Sequence, residues 1–274
     1  MKERFCGWPD ARTWRTSIWV ALAGAVWFVL LYGGADYVTS RRSLRVPVHF
    51  EAELRIPFIA SAVWIYMSIY ALFLMCPFVL RSSQRVIALG ATLAAVTSAA
   101  TIVFLLIPAE LAFPSPARAS EPGATAQAYL FADWLNLRYN LLPSLHVALS
   151  VTCIGAYAPR ARPAGRFWLW SWALAVAVST VLTHFHHILD AVSGFVLGLT
   201  AVRVVYHPVA RVSDDRDSAS PQPDQPRDGG SGADQQTTVA GPGSTASSCR
   251  AEGRGRSPKS QCPHPRYSLG HDEA

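Results

Sequence analysis

Six stretches of the chain are apolar without strand-like alternation: Ser17–Gly34, Pro57–Leu80, Val86–Pro108, Leu142–Ala158, Phe167–Phe185 and Ile188–Tyr206. The hydrocarbon core of a bilayer is about 30 Å thick and takes about 20 apolar residues as a helix. Each stretch comes close to that length, so the pattern predicts an all-α protein with six membrane-spanning helices. The fourth and sixth stretches are the least pure. The first does not read as a cleaved signal: the Ala21-Leu22-Ala23 site leaves too short an apolar region before it, and five similar spans follow. After residue 206 the pattern stops. Residues 207–274 hold eight Gly, eight Pro and ten Ser but a single Leu. Such a stretch buries too little apolar surface to offset the entropy of ordering it, and is predicted to be a disordered tail. The organisation expected is a cytoplasmic segment over 1–16, a six-helix membrane domain over 17–206 and a cytoplasmic tail over 207–274.

Composition agrees and adds direction. The chain is 51% hydrophobic and 15% charged, where soluble domains carry about 25% charged residues. A soluble globular protein and a nucleic-acid binder are both poor fits. Of 24 Lys and Arg and 18 Asp and Glu, the tail holds eight and nine, so the excess of positive charge belongs to the first 206 residues. Basic residues gather on cytoplasmic loops. With the N-terminus inside, the inner segments carry Lys2, Arg4, Arg12, Arg15, Arg81, Arg85, Arg160, Arg162, Arg166, Arg203 and Arg211, and the outer loops Arg41, Arg42, Arg45, Arg55, Arg118 and Arg138. Both termini are therefore expected in the cytoplasm of a multi-pass protein, most simply in the cell membrane. The five cysteines form no C-x-x-C and no disulfide framework.

Against this background two polar motifs stand out. They are Asn140-Leu-Leu-Pro-Ser-Leu-His146 and Thr183-His-Phe-His-His-Ile-Leu-Asp190. Ionisable groups at membrane depth are costly and mark function. The orientation read from charge puts both motifs at the outer face. His186 and Asp190, four apart, share one face of a helix. A carboxylate there fixes the tautomer of the imidazole and leaves its other nitrogen free as base or nucleophile. His187, three residues from Asp190, is a second candidate for that pairing. His146 offers a separate imidazole suited to general acid work. Pro143 and Ser144 have the character of a helix start, where free N–H groups bind phosphate.

These residues resemble the type 2 phosphatidic acid phosphatase (PAP2) superfamily, whose motifs are Lys-x6-Arg-Pro, Pro-Ser-Gly-His and Ser-Arg-x5-His-x3-Asp. Pro143-Ser144-Leu145-His146 is similar to the second. Ser179-Thr180-x5-His186-x3-Asp190 is similar to the third, and its spacing selects His186 over His187. Leu145 in place of Gly and Thr180 in place of Arg point to the inositolphosphotransferase-like branch. Ile56-Pro57-Phe58, Trp64-Ile-Tyr66 and Phe104-Leu-Leu-Ile-Pro108 add support, and the likeness covers about residues 50–205. The resemblance implies a six-helix fold and a phosphotransferase or phosphatase acting on a phospholipid or lipid phosphate. In it His186 is the nucleophile, Asp190 orients it and His146 is the acid and base. Ser144, Leu145, Ser179 and Asn140 surround the substrate, with Arg138 placed beside them by the sequence alone, and no metal or other cofactor is needed. No Lys-x6-Arg-Pro occurs, and its place, Pro108–Pro116, has no basic residue. Arg138, or Arg41, Arg42 and Arg45, are the substitutes the sequence offers.

Two other readings belong beside this one. A protein that has lost both phosphate-binding cations would bind lipid without catalysis. His184, His186, His187 and Asp190 would otherwise make a metal-dependent membrane enzyme, although adjacent ligands at 186 and 187 point about 100° apart on a helix. A transporter fits less well, with no charge mid-span in the first three helices. Cys249, Cys262, His264 and His271 in the tail are too irregularly spaced for a metal site.

Overall fold

The computed structural model describes residues 5–113 and 123–212, and within them the chain is mostly helical. The stretch 114–122, with Arg118, and the tail from 213 onward lie outside the described residues. We number the helices α1 (Ala11–Ser40), α2 (Ala60–Leu80), α3 (Ser83–Leu106), α4 (Ala124–Leu135), α5 (Leu145–Tyr157), α6 (Pro163–Leu182) and α7 (Ile188–Val212). Five of them, α1, α2, α3, α6 and α7, are long and apolar enough to cross a membrane.

The fourth predicted span is the exception. α5 has 13 residues, which at 1.5 Å each is about 20 Å of helix, and a 3₁₀ turn over Ala158–Arg160 extends it. Every α5 residue except His146 is buried. α5 is thus the axis of the bundle, packed against α2, α3, α6 and α7. α1 lies at the opposite extreme, with 11% of its apolar window buried. Its Trp19, Leu22, Val26 and Leu30 are exposed, as side chains facing lipid are.

Glycines set how closely α7 approaches the axis. A Cβ on Gly194 would stand 2.3 Å from the Ser144 carbonyl oxygen, and one on Gly198 would stand 2.6 Å from that of Ala148. Gly194 and Gly198 are four apart, the small-xxx-small spacing that lets membrane helices touch backbone to backbone. On the side predicted to be cytoplasmic, arginines close the helix ends. Arg160 donates to the Val79 and Leu80 carbonyls at the end of α2, both at 3.4 Å, and Arg166 to Ala158 and Ala161, both at 3.1 Å. The Val79 and Leu80 carbonyls, at the last turn of α2, are among those a helix end leaves without a partner of its own.

One boundary differs from expectation. The helix of the sixth span continues six residues past Tyr206, through Val212, so the tail does not begin at 207. The loop after α1 and the loop after α3 meet. Val46–Pro47 (β1) pairs in parallel with Ala109–Glu110 (β2), which fastens the loop after α1 to the start of the loop after α3.

Candidate functional site

The two motifs meet where the turn after α6 abuts the start of α5. α6 ends at Leu182, and the Thr183 N–H donates to Ser179 O at 3.0 Å. His184 then takes a left-handed backbone, φ 57°. That reverses the chain, and the N–H groups of Phe185 and His186 both donate to Thr180 O at 3.1 Å. His186 therefore lies in a turn, before α7 begins at Ile188. The expectation that His186 and Asp190 share a helix face is corrected here: the turn, not helical spacing, brings them together. His186 Nδ1 stands 3.6 Å from Asp190 Oδ2, with both side chains buried. Asp190 Oδ2 also accepts the His187 N–H at 2.9 Å, as an acid in the first turn of a helix does. His186 Nδ1 and Asp190 Oδ1 make no hydrogen bond among the described residues.

The main chain ties this turn to the first motif, because the Ser144 N–H donates to Asp190 O at 2.9 Å. Ser144 is the N-cap of α5, its Oγ accepting from Val147 N at 3.5 Å. This puts His146 in the first turn of α5. Its ring stacks on Tyr66 of α2, with centroids 3.7 Å apart and planes at 12°. His146 Nε2 lies 2.8 Å from the Tyr66 carbonyl oxygen. A carbonyl only accepts, so Nε2 carries the proton and Nδ1 is left with a lone pair.

His146 and His186 line one end of a cavity of about 460 Å³. The cavity follows α1 from Tyr32 to Ser17, roughly 22 Å of helix. Away from the imidazoles its walls are mainly apolar, with Phe28 and Val20 of α1, Phe73 of α2 and Leu89 and Leu93 of α3 among them. No Lys or Arg is among the residues that line it.

The other residues expected at the substrate have different places. Leu145 lines the cavity. Ser144, Ser179, Asn140 and Arg138 are not among its lining residues. The Ser144 Oγ is occupied as the α5 cap. Ser179 Oγ donates to Val176 O at 2.7 Å. Asn140 is buried and its Nδ2 donates to Tyr32 O at 2.6 Å, anchoring the first motif to α1. Arg138 is exposed. The substitutes at the end of α1 and in the loop after it are also engaged. Arg42 bonds the Leu105 carbonyl, Arg45 donates to Thr39 O at 3.1 Å and Arg41 lies over the Tyr37 ring at 3.5 Å.

The three clustered histidines separate. His184 Nε2 lies 3.0 Å from Ile56 O, and its ring stacks on Phe113 at 4.1 Å. His187 is fully buried: its Nε2 accepts the Ala112 N–H at 3.0 Å and its Nδ1 faces Glu53 Oε1 at 2.9 Å, a close electrostatic contact rather than an aligned hydrogen bond. Among the described residues no three His, Cys, Asp or Glu side chains gather as a metal set. The spacing rule preferred His186 over His187, and the contacts show the difference between them: His187 has both ring nitrogens engaged, while His186 faces a carboxylate and a cavity.

Glu53 is the residue that sequence reasoning missed. It lies in a loop beside exposed Glu51 and Arg55, and nothing local distinguishes it, yet it is 2% exposed. Tyr66 was visible only as part of Trp64-Ile-Tyr66. Compared with protein-family models, with curated proteins and with solved structures, the chain matches none.

Proposed function

We propose that the protein is an integral membrane lipid phosphotransferase or phosphatase of the PAP2 type, a six-helix bundle with cytoplasmic termini and its site at the outer face. One observation carries this reading: His186 and His146, forty residues apart in sequence, line the same end of a cavity whose remaining length is largely apolar. A lipid phosphate is divided in the same way, with its phosphoester at the imidazoles and its chain along α1.

In the reaction proposed, His186 Nε2 attacks phosphorus and the bond to the lipid oxygen breaks. Protonated His146 gives its Nδ1 proton to the departing alcohol. Asp190 stabilises the phosphoimidazolium through its Nδ1–H. His146, now neutral, takes a proton from the acceptor, whose oxygen attacks phosphorus while the P–N bond breaks. Water as acceptor releases inorganic phosphate, and an alcohol gives a new phosphoester. Splitting the transfer through phosphohistidine replaces one hard step by two easier ones.

The purified protein incubated with phosphatidic acid, diacylglycerol pyrophosphate or phosphatidylinositol, with and without an alcohol acceptor, should release phosphate or form a transfer product. His146→Ala should lower turnover by about 10²- to 10⁴-fold. His186→Ala should reduce it to background with the helix content unchanged. Normal turnover in His186→Ala would remove the nucleophile assignment. A second reading, lipid binding without catalysis, is favoured by the cavity's lack of a lining Lys or Arg, since an uncompensated phosphoryl group is held weakly. Saturable binding of phosphatidic acid with no product from any of the three lipids would establish it.

A further inference from the structure

Among the described residues two acids are buried, Glu53 and Asp190, and both stand at the N-terminus of α7. A helix start leaves its first N–H groups without partners. Asp190 Oδ2 accepts from His187 N, and Glu53 Oε2 accepts from Ile188 N, both at 2.9 Å. Glu53 reaches this point from a loop 135 residues earlier in the chain. Its other oxygen, Oε1, accepts from Phe50 N at 3.0 Å and lies 2.9 Å from His187 Nδ1. His187 in turn accepts from Ala112 N. One carboxylate thus joins the first outer loop, the second outer loop and the start of α7.

We propose that Glu53 is a positioning residue for the His186–Asp190 pair, an inference that rests on the phosphotransfer reading of His186. By taking the Ile188 N–H and holding the His187 ring away, Glu53 leaves Asp190 with one N–H to cap and one oxygen, Oδ1, unengaged. Without Glu53, the nearest carboxylate for Ile188 N is Asp190 itself. Drawn toward the helix axis, Asp190 then loses its place beside His186 Nδ1. Gln in place of Glu53 keeps the size but has a single acceptor oxygen, so one of the two sides presents N–H groups to N–H groups.

The test compares wild type, Glu53→Gln, Glu53→Asp and His186→Ala, with phosphatidic acid in mixed micelles as the probe. Glu53→Gln should lower kcat by roughly ten- to a hundredfold, the range for partners that orient a working imidazole, while KM stays within about twofold. Glu53→Asp, which keeps two acceptor oxygens, should recover part of the loss. The second readout needs no substrate: ¹⁵N-histidine NMR should show His186 protonated at Nδ1 in wild type and a mixture of tautomers in Glu53→Gln. Glu53→Asp, with its shorter reach, should show the same mixture in smaller measure and replaces Glu53→Gln where that variant does not fold. An unchanged kcat and His186 tautomer in a folded Glu53 variant, beside an inactive His186→Ala, would overturn the role of Glu53 alone. A fully active His186→Ala would overturn the phosphotransfer reading and this inference with it.

Discussion

At the scale of single residues, protonation is set by what each nitrogen faces. His187 Nε2 accepts a backbone N–H, and that bond exists only while the nitrogen is unprotonated. Burial pushes the His187 imidazole below its usual value near 6.5, against the pull of Asp190 and Glu53 and with the push of His49. The group binds a proton more readily in the unfolded chain, so stability rises with pH between the two values. The stabilising share of His187 is therefore complete above about pH 6.5 and is lost as pH falls below it. The thermal midpoint in detergent should drop on acidification through that window, and less steeply in His187→Gln. An equal slope in both proteins would show that His187 has no part in the drop. His146 and His186 were legible as a pair of imidazoles from motif spacing. Their environments were not, because Tyr66 lies 80 residues from His146 and only packing brings it there.

At the scale of elements, α5 and α7 are joined more closely than any side-chain list implies. The Ser144 N–H bonds Asp190 O at the top of the contact, and Gly194 and Gly198 remove the side chains that would hold the helices apart. Gly194→Val places its Cβ on the Ser144 carbonyl, so α7 must retreat. Overpacking of this kind costs about 1–3 kcal/mol, and the displacement also separates His186 from His146. The expected outcome is a lower thermal midpoint together with reduced turnover, while Gly34→Val on α1, with nothing within 4 Å of the added Cβ and no place in the cavity lining, should change neither. The Gly-x3-Gly pattern was present in the sequence, but it names no partner helix. The turn between the fifth and sixth spans was legible near His184–His187, but its geometry was not, because the left-handed residue that makes it is His184, not a glycine.

At the scale of the whole molecule, the number of crossings decides where the site faces. Five helices meet the length and hydropathy of a membrane span. Five crossings put the termini on opposite sides, while α5 as a sixth returns them to the same side. A helix buried on all faces has no need of the length of a lipid-facing one, since its ends can be met by loops folded into the bundle. Reporter fusions at residue 1 and after Val212 should therefore both report the cytoplasm, in agreement with the arginines near α2, α3 and α6. Reporters on opposite sides would leave α5 as a core helix that does not cross.

By itself the sequence determined that this chain is mostly helical and apolar enough for a membrane, and it singled out the imidazoles and the acid on which the proposal rests. Those properties follow from local quantities: the length of an apolar run, the cost of an ionisable group within it, and spacing along the backbone. Only the tertiary structure decided that α5 is the buried axis, that a cavity joins His146 and His186 to the apolar length of α1, and that Ser144, Ser179 and Asn140 hold the backbone rather than line that cavity. It alone brought Glu53 to the start of α7. The physical reason is the same in each case. A partner for a buried polar group is chosen by proximity in space, and the loops that supply it here come from 80 to 135 residues away.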